Sequence, residues 1–162
     1  MEPILFILFG AIAVGGAIMV VTRKHPMASA LYLILTLFAV AALFVLRQAH
    51  FLAAIQVIVY AGAVVVLFIF VIMLVNVPEN RLPVERMTGM RLLGVVAAGL
   101  LILESAVLAR RFAMPAGSAA DAGSVQAVGR ALFTDYLLAF EITSILLLAA
   151  VIGAIAMAKK KI

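Results

Sequence analysis

The chain contains no cysteine, and Asp, Glu, Lys and Arg make up only 12% of its 162 residues. Without cysteine there are no disulfides, no thiolate metal sites and no cysteine nucleophile. The only two histidines, His25 and His50, are expected in short loops. No His/Glu cluster supplies the roughly three or four ligands that a metal site gathers. A Gly-rich phosphate loop between strand and helix, a Ser/His/Asp set and the ligand patterns of haem or iron–sulfur centres are also missing. No catalytic residue and no metal ligand is therefore assigned. The start, Met1-Glu2-Pro3, is acidic and then apolar. A secretory signal has a positive start and a small-residue cleavage site, so the first apolar run is expected to remain as a membrane helix.

What the chain has in abundance is apolar sequence. Hydrophobic residues make up 68%, with a mean hydropathy of +1.33, against about 45–50% in an ordinary soluble domain. Five apolar runs stand out, at about 3–21, 28–46, 51–76, 92–109 and 136–158. Each approaches the roughly 20 residues that cross about 30 Å of hydrocarbon as a helix. Many residues are Val and Ile, which favour strands in water. In lipid, an open strand would leave its backbone groups unpaired, so the helix prevails. A transmembrane barrel would show alternating segments of about 10 residues, and these runs do not alternate. The expected fold is all-α: one integral membrane domain over 1–162, with five transmembrane helices. The stretch 111–135, centred on the small and polar Pro115–Gly123, is expected as an exposed loop. Within it, Gln126 to Phe133 suits a short interfacial helix leading into the fifth span.

The net charge of +5 does not indicate nucleic acid, because the basic residues sit in short groups between the apolar runs. Their distribution sets an orientation. Arg47, Arg110, Arg111 and Arg130 fall on the side of the N-terminus. Arg23, Lys24, Arg81, Arg86, Arg91, Lys159, Lys160 and Lys161 fall on the other. The positive-inside rule places the second group in the cytoplasm, with the N-terminus outside and the C-terminus inside.

Two acids interrupt the apolar runs. A charge at mid-bilayer costs at least about 2.5 kcal/mol, and such residues are often functional. Glu104 precedes Arg110 by six positions, about 9 Å along a helix, and an interfacial pairing with the arginines suits it. Glu141, followed by Thr143 and Ser144, is a candidate intramembrane acid facing a neighbouring subunit or a hydrated cavity. Gly10, Gly15, Gly16, Gly94, Gly99 and Gly153 allow close helix approach, and several small-residue faces are expected to meet other chains.

The third run carries polar groups where lipid would not call for them. Gln56 and Tyr60, four apart, share a helix face, which Ala63 and Leu67 continue. Tyr60-Ala61-Gly62-Ala63 combines one bulky group with three small ones. Two readings stand on spacing alone. One is an interhelical hydrogen bond with tight packing, about 1 kcal/mol. The other is the end of a hydrated path closed by apolar residues, at a helix distortion of the kind found at functional sites.

The block from Ile55 to Leu74, IQVIVYAGAVVVLFIFVIML, resembles the third helix of the J subunit of proton-pumping NADH:quinone oxidoreductase. The mitochondrial counterpart of that subunit is subunit 6 of respiratory complex I. Supporting matches are His25 to Tyr32 entering the second helix and Phe140 to Leu148 in the last. The resemblance spans about residues 1–160. It implies a multi-pass subunit of the bacterial inner (plasma) membrane with no cofactor of its own. Flavin, iron–sulfur clusters and quinone are expected in partner subunits. It also implies a place in the lipid bilayer among other membrane-arm subunits, between the quinone-linked part and the antiporter-like subunits, and no nucleic-acid partner. The family's third helix switches between a regular helix and one with a π-bulge, thought to gate a hydrated proton path. Carried over, the gating positions are Tyr60, Ala61 and Gly62, with the following residues rotating, among them Leu67, Phe68 and Phe70. Some relatives have glutamate where this chain has Gln56, an amide that orients water without titrating. The alternative reading is a subunit of a multi-chain cation/proton antiporter with no redox activity.

Overall fold

The computed structural model describes residues 2–75, 88–111 and 123–159. The sequence expectations that involve Arg81, Arg86, Pro115 to Ala122, Lys160 and Lys161 lie outside the described residues. Among those described there is no strand.

Among the described residues, five helices are long and apolar enough to cross a membrane. They are α1 (Glu2–Thr22), α2 (Pro26–Leu46), α3 (His50–Val75), α4 (Thr88–Arg111) and α6 (Leu137–Ala158). A short helix, α5 (Val125–Phe133), precedes the last span. The ends of α2 follow local chemistry. Pro26 stands in its first turn, where a missing N–H costs nothing, and Gln48 turns the chain at φ 59° just beyond its end. His50 opens α3 rather than lying in the loop before it. α4 starts about one turn before its apolar run, because helical hydrogen bonding does not stop where lipid does.

Several hydroxyls inside the spans are satisfied by their own helices. Thr36 Oγ1 donates to the Tyr32 carbonyl at 2.9 Å and Thr143 Oγ1 to that of Ala139 at 2.7 Å. Ser144 Oγ donates to the Glu141 carbonyl at 2.7 Å. Such back-bonding removes a polar cost that lipid would otherwise impose.

α2 is the central helix and packs against both α1 and α3. The buried residues of this three-helix unit are Gly16 of α1, Ala30, Ala39 and Ala41 of α2, and Ala53, Ala61 and Val65 of α3. All but Val65 are Gly or Ala, which lets backbones approach and gain dispersion contact where the hydrophobic effect gives none. At Gly16 the approach is closest: a Cβ there would lie 2.5 Å from Thr36 Oγ1 and 3.5 Å from the Tyr32 carbonyl. At the opposite end from Glu2, the Arg23 guanidinium lies 5.4 Å from the Tyr32 ring centroid, and Nη2 donates to the Tyr32 hydroxyl at 3.3 Å. This cation–π contact ties the end of α1 to α2.

α4 and α6 differ. Among the described residues, neither α6 nor Leu93–Arg111 of α4 buries a side chain within the chain. α6 packs on α5, with Phe133 and Phe140 edge to face at 5.2 Å. Gly123, just before α5, sits on the α2–α3 turn, where a Cβ would come within 2.6 Å of Ala49 Cα. Residues 49 and 123 therefore lie together, as they would if α3 and α4 each cross the membrane once.

Candidate functional site: the third span

α3 is not one regular helix. It is α-helical over His50–Ile55, π-helical over Gln56–Val64 and α-helical again over Val65–Val75. π geometry mostly appears as single-turn bulges at functional sites, so a run of 9 residues is long. At its end the Val65 N–H donates to the Tyr60 carbonyl, five residues back. Ala61 and Val65, four apart, are buried at 7% and 3% exposure, and they hold this stretch against α2.

Gly62 fits the π geometry for a backbone reason. A Cβ at this position would stand 3.3 Å from the Val57 carbonyl oxygen, tighter than ordinary contact. Glycine leaves that space open. Val57 is the participant that sequence reasoning missed. It contributes a main-chain oxygen, which no side-chain motif announces.

The structure places the expected gating residues in two groups. Gln56, Tyr60, Ala61 and Gly62 all lie in the π segment. Gln56 is half-buried, Ala61 is buried, and Tyr60 is 51% exposed. Leu67, Phe68 and Phe70 follow in the regular helix, at 66%, 48% and 53% exposure. Their large apolar side chains project away from the seam with α2. Glu141 is not brought to this site: it is exposed on α6, which packs on α5 and not on α3. Glu104 is exposed on α4. No group of three or more His, Cys, Asp or Glu side chains suited to a metal ion occurs among the described residues. What the third span offers is an amide, a phenol, a row of large apolar side chains and a backbone in a rare geometry. These groups can order water and change shape.

Five apolar helices, three packed through small residues and one of those carrying a long π segment, define a multi-pass α-helical membrane protein with a distorted central span. The chain belongs to the family described as NADH-ubiquinone/plastoquinone oxidoreductase chain 6, which matches residues 16–157. It is 38% identical over 159 residues to NADH-quinone oxidoreductase subunit J of Rhodobacter capsulatus, covering 93% of this chain and 78% of the relative. It is 39% identical over 158 residues to NAD(P)H-quinone oxidoreductase chain 6 of Leptolyngbya boryana, covering 96% and 79%. Against NADH-quinone oxidoreductase subunit J of Escherichia coli K12 the identity is 35% over 151 residues, covering 92% and 82%. These matches favour the oxidoreductase reading over the antiporter alternative.

Proposed function

We propose that this chain is a membrane-arm subunit of a proton-translocating NADH:quinone oxidoreductase, in which it binds no cofactor and makes and breaks no covalent bond. Family membership supports the subunit assignment. The observation that carries the mechanism is the π segment Gln56–Val64 over the Tyr60-Ala61-Gly62 core. Returning this segment to α geometry removes one residue from a turn and rotates the side chains beyond it by about 100°. Leu67, Phe68 and Phe70 then change places on the helix surface, and an apolar plug moves into or out of a water path. Because these side chains face away from α2, the path lies between α3 and a neighbouring membrane-arm subunit. Tyr60 hydrogen-bonds water towards the outer end, and Gln56 orients it without titrating. The two states must lie within a few kcal/mol for quinone chemistry elsewhere to shift them.

Flavin, iron–sulfur clusters and quinone reside in partner subunits. The chain forms one membrane domain in the bacterial plasma membrane, with its N-terminus outside and its C-terminus inside. Glu141 faces a neighbouring subunit. The assignment is tested by purifying the tagged chain from detergent-solubilised membranes. The expected eluate shows flavin and iron–sulfur spectra and NADH-dependent quinone reduction. An eluate with no redox spectrum but with sodium-dependent transport after reconstitution would overturn the assignment in favour of an antiporter.

A further inference from the structure

We infer that α5 is a phospholipid-binding element at the outer membrane surface, with Arg130 as its headgroup contact. Both ends of the helix are tethered at the membrane boundary. Gly123, just ahead of it, rests on Ala49 in the α2–α3 turn. At its far end Phe133 packs on Phe140, and the Tyr136 N–H donates to the Ala131 carbonyl at 2.9 Å, immediately before α6 enters the membrane. Ser124 caps the start, its Oγ accepting from the Ala127 N–H at 3.2 Å. A helix of 9 residues held in this way is too short to cross the membrane, which suits a place along its surface.

Its three faces have three different chemistries. Ala127, Val128 and Ala131 are half-buried and face the protein. Val125 and Leu132, seven apart, form an apolar edge at 56% and 36% exposure. Gln126 and Arg130, four apart, form a polar edge. Ser124, Gln126, Ala127 and Arg130 line an open groove of about 570 Å³ along that edge. The order protein, lipid, water around one short helix is that of an interfacial amphipathic segment, with its apolar edge at the acyl boundary and its cation among headgroups. A phospholipid is the occupant that satisfies both exposed edges together. Its phosphate meets the Arg130 guanidinium, and its upper acyl carbons cover Val125 and Leu132. The inference rests on the five-span topology and not on the oxidoreductase assignment, so the two fail separately.

The test places the photoreactive residue benzoylphenylalanine at Val125 or Leu132 of the full chain, assembled in its native membranes. After irradiation, mass spectrometry is expected to find phospholipid adducts on the chain at both positions. Adducts to a neighbouring subunit in their place, or no phospholipid adduct, would overturn the inference. In the Leu132-substituted chain, Arg130→Gln is expected to lower the phospholipid adduct severalfold, because the charged phosphate loses its cationic partner, and Arg130→Lys to restore it. Unchanged adduct yield in Arg130→Gln would overturn the role of Arg130.

Discussion

Gly16, Ala30, Ala39, Ala41, Ala53, Ala61 and Val65 give α1, α2 and α3 a buried seam, whereas among the described residues α4 and α6 bury nothing within the chain. The first three spans are somewhat more hydropathic than the last two, yet all five are lipid-compatible, so hydropathy alone does not account for the packing. The difference lies in what each helix presents to its neighbour. The first three pair through Gly and Ala, so their backbones approach each other. α4 and α6 carry acids, Glu104 and Glu141, on surfaces that this chain leaves open. The chain thus contains one part that packs on itself through small residues and one part whose faces are open to lipid or partner subunits. The π segment belongs to the first part. Ala61 and Val65 are buried where α3 packs on α2, while Leu67, Phe68 and Phe70 point outward.

The sharpest way to break this contrast is Gly16→Leu. The added side chain must displace Thr36, and overpacking of this kind costs about 1–3 kcal/mol. Loss of α1–α2 packing is expected to reduce the subunit in membranes severely, as read by immunoblot, and to reduce the assembled complex on native gels. Normal levels of both would show that the seam does not hold the first part together. A smaller effect is expected of Gly123→Val, which drives a side chain into Ala49 at the edge of the fold and costs about 1 kcal/mol. The complex should assemble but unfold a few degrees lower in a thermal melt, with protease sensitivity rising near α5. An unaltered melt would mean that the tether is incidental. The smallest effects belong to the open acids. Glu141→Gln is expected to impair assembly or turnover mildly, since it lies in the block Phe140 to Leu148 that resembles the family, and Glu104→Gln to do little. Complete loss of pumping in Glu104→Gln with a silent Glu141→Gln would reverse that ranking.

The number of spans was legible from the apolar runs alone, because lipid leaves a chain of this composition few other options. Tyr60-Ala61-Gly62 stood out for the same reason, as polar and very small groups in a stretch otherwise suited to hydrocarbon. What could not be read was how each helix is turned about its axis. The spans are apolar all round, so no stripe marks an inward face. Gly16 against Thr36 and Gly123 against Ala49 are contacts between positions that share no pattern. The extent of the π segment was hidden too. Its bonds are made by main-chain groups, such as Val57 beneath Gly62 and Tyr60 to Val65, and the side chains of Gln56 to Val64 also suit an ordinary helix. The unexpected start of α4 at Thr88 has a simpler cause: a polar turn continues a helix beyond the lipid boundary as readily as an apolar one.

The gating claim meets its most direct test in a Gly62→Val complex. In π geometry the new side chain crowds the Val57 carbonyl, which sits 3.3 Å from where its Cβ would be, so the balance between the two backbone states shifts. The measurement compares, in reconstituted vesicles, electron transfer from donor to an artificial acceptor with quinone-coupled proton pumping. The complex is expected to be recovered in reduced amount. It should keep most of its electron transfer to the artificial acceptor and lose a much larger share of coupled turnover. Full quinone reduction with normal proton pumping in that variant would contradict a gating third span and leave Gly62 as a packing residue.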